Sequence, residues 1–136
     1  MIGGVAMRVY KTKRFARLAR KAAISDKSLC EAVWRAERGL LDAHVGRFLI
    51  KQRIARVGKG RSGGYRAVLF FRSGDLSVFL DCFAKSGKAN LTATEEHILR
   101  TLADQISGMR ITDEREAVRI EEWIEVNYGE YEAQVP

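Results

Sequence analysis

Proline is nearly missing from this 136-residue chain; the one copy is Pro136. With 46% apolar residues, that scarcity excludes a proline-rich linker and argues for an ordered globular protein. Only two cysteines are present, Cys30 and Cys82, too few for a disulfide framework and without zinc-ligand spacing. Cys30 lies beside Leu29 and Val33 in a helical pattern, and Cys82 is read as alternating in step with Val78 and Leu80. Both are expected to be small core residues in a reducing compartment. No apolar run approaches the ~18 residues of a membrane span, and no signal-peptide pattern opens the chain, so a soluble, cytoplasmic protein is expected. The two histidines, His44 and His97, have no serine or acid partner at a spacing that suggests a catalytic set. Acidic residues are missing altogether from positions 51–66.

Those sixteen residues, KQRIARVGKGRSGGYR, are the most informative part of the chain. Six of them are Lys or Arg and four are Gly. The imbalance extends further. Residues 1–66 carry 17 basic and 4 acidic side chains, 17 − 4 = +13; residues 67–136 carry 7 and 13, 7 − 13 = −6. Clustered charge of this kind points to a polyanionic partner, with a merely solvated surface as the plain alternative. The stretch Gly58-Lys59-Gly60-Arg61-Ser62-Gly63 matches G-x-G-x-x-G. A dinucleotide site needs a helix to follow that turn; a strand pattern follows here, so the segment reads as the cationic tip of a hairpin.

Periodicity orders the rest. Met7–Tyr10 predicts a short strand, and 1–6 has no pattern. Phe15, Leu18, Ala19 and Ala22 mark the inner face of a first helix, with Lys13, Arg14, Arg17, Arg20 and Lys21 outward. Ser25 caps a second, with Leu29, Val33, Ala36 and Leu40 inward and Gly39 near its end. Three strands span Phe48 to Lys88. Phe48, Ile50 and Ile54 share one face of the first, Lys51 and Arg53 the other. The glycine-rich loop Val57–Gly64 leads into Tyr65–Arg72, and Ser73-Gly74-Asp75 turns into Leu76–Ala84. Thr92 and Glu95 have capping-box spacing ahead of a helix with the stripe Ile98, Leu99, Leu102 and Ile106, ended by Gly108. In the acidic tail, Asp113 is a candidate helix cap, and Ile124, Val126 and Tyr128 alternate like an edge strand. The expectation is one α+β domain over 1–136: an N-terminal helical hairpin on a small, mostly antiparallel sheet, with a core of about 7–108 and an acidic tail over 109–136. A partly disordered, solubilising tail is the plain alternative; if the tail docks, Glu121, Glu122 and Glu125 are expected to lie against the basic surface and screen it from RNA.

With no histidine in the basic hairpin, the chemistry available is cationic. Attack of an RNA 2′-hydroxyl on its own phosphodiester builds charge on the phosphoryl and leaving oxygens. Fixed Arg and Lys stabilise that charge, and a Lys of depressed pKa moves a proton. Lys51, Arg53, Lys59, Arg61, Arg66, Lys85 and Lys88 supply such groups, and Arg56 adds to the RNA-gripping set. Phosphate binding without cleavage stays open on this reading. Neither a metal nor a cofactor is expected.

The run Leu49-Ile50-Lys51-Gln52-Arg53-Ile54-Ala55-Arg56, then Ser62-Gly63-Gly64-Tyr65-Arg66, then Phe83-Ala84-Lys85, resembles bacterial type II toxins of the RelE/HigB superfamily, in particular the HigB-type branch. Tyr10-Lys11-Thr12-Lys13-Arg14-Phe15 fits the same pattern, and the likeness covers about 7–108. The resemblance implies a ribosome-dependent mRNA endonuclease neutralised by an antitoxin, expected to be a helix-turn-helix protein. By the same resemblance, Lys51 and Arg53 contact the RNA backbone and assist proton transfer, Arg66 stabilises the scissile phosphate, and Lys85 and Lys88 form the basic segment after the last strand. RelE members carry an arginine where this chain has Ser86, and their later tyrosine has no counterpart near Leu91. The alternatives are a ParE-like toxin acting on DNA gyrase and an inactive RNA-binding relative.

Overall fold

The computed structural model describes residues 6–56, 60–85 and 90–135, and over 56 and 60–63 the backbone alone. Among them, β1 (Arg8–Thr12) leads into α1 (Lys13–Ala22) and α2 (Asp26–Glu37). Then come β2 (Ala43–Gly46), β3 (Leu49–Arg56), β4 (Gly60–Arg72) and β5 (Leu76–Ala84). The chain closes with α3 (Ala93–Ser107), α4 (Ile111–Arg119), β6 (Trp123–Val126) and α5 (Tyr128–Gln134). The six strands make one sheet in the order β2-β3-β4-β5-β1-β6. Every pairing is antiparallel except β1 with β5. The fold is α+β, as the sequence pattern predicts.

Local chemistry explains the ends of the elements. Thr12 and Ser25 accept the N–H groups of Phe15 and Ser28 at the starts of α1 and α2. The capping box of α3 is complete: Glu95 N–H donates to Thr92 Oγ1 at 3.1 Å and Thr92 N–H to Glu95 Oε1 at 2.8 Å. Gly74, at φ +73°, makes the turn between β4 and β5.

The sheet buries both faces. On one, Ile50, Ile54, Ala67, Leu69 and Phe79 pack with Phe15, Leu29 and Val33 of the helical hairpin. On the other, Leu49, Val68, Phe70, Val78 and Phe83 pack with Leu99, Ala103 and Ile106 of α3. A register shift between Val68 and Leu69 puts an extra residue into β5. This bulge reverses the phase of β5, so Cys82 lies in the opposite core from Val78 and Leu80 instead of alternating with them.

Other expectations are corrected. Phe48 belongs to the β2–β3 turn at φ +58° and packs on the α3 side, away from Ile50 and Ile54. Leu40 lies past the end of α2 and is exposed, as are Ile98 and Leu102 of α3. The β4 strand starts at Gly60, not Tyr65, because the ladder continues through Arg56↔Gly60. Asp113 is the third residue of α4; Arg110 precedes the helix and its N–H donates to Asp113. The tail does dock as an edge strand, but Tyr128 opens α5 instead of extending β6.

Candidate functional site

The sheet face turned toward α3 carries the candidate cations in rows set by register. Arg53 stands opposite Arg66, and Arg66 opposite Phe83. In the next row Lys51 stands opposite Val68, and Val68 opposite Asp81. The third row is Leu49, Phe70 and Val78. Cross-strand partners share a face, so three cations from two strands border the apolar floor of Val68, Phe70 and Phe83. Strand period alone separates Lys51 and Arg53 from Ile50, Gln52 and Ile54, which point into the helical hairpin.

Arg66 is the most constrained of the three. Its Nη1 is buried and has no hydrogen-bond partner among the described residues. A buried donor left unpaired costs about 1–3 kcal/mol. The like charge of Arg53 directly opposite adds repulsion. An anion seated between the two guanidiniums relieves both costs. Arg53 is about half exposed and reaches Asp42 Oδ1 only at 3.9 Å, so its head is still available to a ligand. Lys51 Nζ donates to Asn90 Oδ1 at 3.4 Å, which draws the segment before α3 toward this row.

Lys85 follows directly on β5 and is exposed. Lys59 and Lys88 lie outside the described residues. For Arg56 and Arg61 only the backbone is described, at the hairpin end of β3 and β4. Of the eight candidates, the structure therefore brings Lys51, Arg53 and Arg66 together. His44 is paired with Ile50 in β2 and exposed, and His97 is exposed on α3.

Two neighbours escaped the sequence reading. Asp81 shares the row of Lys51, and its carboxylate accepts the Cys82 N–H and pairs with Arg14 at 3.0 Å. Its signal was available: it is the only charge in the apolar strand LSVFLDCFA. Asn90 carried no sequence signal.

A model of the family described as RelE toxin of RelE / RelB toxin-antitoxin system matches residues 7–126, from the segment before β1 through β6. No curated protein matches the chain.

Proposed function

The chain belongs to the RelE toxin family of type II toxin–antitoxin systems, typically ribosome-dependent mRNA endonucleases, and from this premise we propose that it cuts translated mRNA with the Arg53–Arg66–Lys51 face. The observation that carries the reading is the opposed Arg53–Arg66 pair, with Arg66 Nη1 unpartnered among the described residues. A single phosphodiester meets the needs of both guanidiniums.

In the proposed reaction the 2′-oxygen attacks the adjacent phosphorus. The P–O5′ bond breaks, leaving a 2′,3′-cyclic phosphate and a 5′-hydroxyl. The 2′-hydroxyl proton goes to a base, and a proton is delivered to the departing 5′-oxygen. Arg66, held by a strand whose neighbours Val68 and Phe70 are fully buried, stabilises the charge on the phosphoryl oxygens. Arg53 and Lys51 grip the backbone and assist proton transfer; Lys85 supplies a further cation at the end of β5. Arg56, Lys59, Arg61 and Lys88 extend the grip on RNA. The motif from Lys51 to Lys85 supports the HigB-type branch within the family. A helix-turn-helix antitoxin and a cytoplasmic site of action, with 1–136 as one toxin domain, belong to the same proposal.

Brief induction of the chain without antitoxin, followed by mapping of RNA ends, tests it. New ends should lie inside coding regions and vanish when initiation is blocked. Intact mRNA alongside DNA damage would establish a gyrase-directed, ParE-like toxin instead.

A further inference from the structure

The β3 strand outruns its neighbour. Pairing with β2 stops at Ala43↔Lys51, so Arg53 lies beyond the last ladder bond on that side. Its backbone edge there would face solvent, yet both polar groups are occupied by charged side chains from outside the sheet. Asp42 Oδ2 accepts the Arg53 N–H at 2.6 Å. Arg35, on α2, donates from Nη2 to the Arg53 carbonyl. The two side chains are themselves paired, Arg35 Nη1 to Asp42 Oδ2 at 3.5 Å. Asp42 Oδ1 also faces Arg53 Nε at 3.9 Å.

The clamp is anchored at both ends. Arg35 is buried, and Glu31 one helical turn earlier accepts from its Nε at 3.3 Å. The Asp42 N–H donates to Gln52 Oε1 at 2.8 Å, and Gln52, fully buried, donates to the carbonyls of Ala32 and Leu40 at 3.0 and 3.2 Å. A buried charge such as Arg35 is costly unless fully paired. Pairing it with the β3 backbone at Arg53, a site arginine, relates the cost to a use.

We propose that Arg35 and Asp42 are positioning residues for the Arg53 guanidinium: they fix the backbone at Arg53 so that its side chain stays opposite Arg66. The inference rests on the proposed role of Arg53 in cleavage. Neither residue lies on the cationic face; their effect passes through residue 53.

A double-mutant cycle on mRNA cleavage by the full chain, programmed on ribosomes, tests it. Asp42→Asn removes the charge while keeping an acceptor. It should lower the single-turnover cleavage rate by about tenfold to a hundredfold with KM little changed, since misplacement of a catalytic group by about 1 Å costs on that order. Arg53→Ala should lower the rate on its own, and adding Asp42→Asn to it should cost nothing further. If Asp42→Asn does not fold, Arg35→Lys takes its place; one ammonium cannot serve Glu31, Asp42 and the Arg53 carbonyl together. Equal rate losses in the wild-type and Arg53→Ala backgrounds would overturn the positioning role and leave the cleavage reading standing. No rate loss from Arg53→Ala would overturn the cleavage role of Arg53 and the positioning role with it.

Discussion

At the residue scale, the side chains differ most in what burial does to them. Arg66 is expected to be the most sensitive single position in catalysis. Its head is placed by a rigid strand, and its Nη1 has no acceptor among the described residues to fall back on. Losing a charge that acts in the transition state costs about 10²–10³ in rate. Arg66→Ala should therefore abolish toxicity while far-UV circular dichroism and antitoxin binding stay unchanged; full toxicity would remove it from the site. The cysteines are the contrasting case. Burial, aided by Asp26, pushes the Cys30 thiol up to about 11, and burial together with Asp81 pushes Cys82 up to about 12, against the opposing charge of Arg14. Neutral buried thiols are poor nucleophiles, so iodoacetamide at pH 8 should label both only after denaturant is added. The linkage has a definite sign. Because the folded-state values are raised, the stability these thiols contribute is fully present below about 9 and is lost as pH climbs through 11 and 12. Alkaline denaturation of Cys82→Ala should consequently show a weaker pH slope above 9 than the parent chain.

At the scale of elements, what could be read in advance was whatever a local signal specifies. Thr92 and Glu95 satisfy each other within three residues, and Gly74 alone can meet its turn's positive φ, so α3 and the β4–β5 turn are visible in the sequence. The β5 bulge is not, because it depends on which residue of β4 each residue of β5 meets, and it moved Cys82 to the other core and Asp81 to the cationic face. Strand β2 is four residues long and has no alternating pattern; it exists because β3 offers it an edge. The tail's docking likewise hinges on a contact 106 residues away in sequence. Arg8 on β1 donates Nε and Nη2 to the two oxygens of Glu114 at 2.8 and 2.9 Å, and its Nη1 faces Asp75 at 3.0 Å. Glu114 is only 2% exposed, and its hydrogen bond is the main reason the Arg8 pKa is raised. Breaking a buried pair on one side strands the other charge and costs about 3–5 kcal/mol. Glu114→Gln should lower the free energy of unfolding in urea by roughly 3 kcal/mol, somewhat less if water reaches the partly exposed Arg8. Truncation after Met109 should do worse, since it also removes the buried Trp123, Val126 and Tyr128; an unaltered urea midpoint for the truncated chain would show that α4 and β6 are accessory.

At the scale of the whole molecule, the sheet separates the two charges of the chain. The cationic face is centred on β3 and β4, whereas the acidic tail pairs through β6 with β1 at the opposite edge. Three strand spacings lie between β4 and β6, about 14 Å at ~4.8 Å each. Glu121 and Glu125 line a groove there with Lys13, Arg17 and Arg20 of α1, so the basic surface they lie against is the helix and not the hairpin. That geometry limits how far the tail can screen RNA. At 0.15 M salt the Debye length is about 8 Å, shorter than the separation; at 0.01 M it is about 30 Å, longer than it. The triple variant Glu121→Gln, Glu122→Gln, Glu125→Gln removes three negative charges without removing buried area, since all three side chains are exposed. Its affinity for a short single-stranded RNA should match the parent's at 0.15 M and exceed it at 0.01 M. The slope of log affinity against log salt should steepen accordingly, because the added attraction is long-ranged and is screened first. A gain of the same size at both salt concentrations would mean that the tail contacts RNA or its binding face directly, which three strands of separation do not allow without the tail leaving β1.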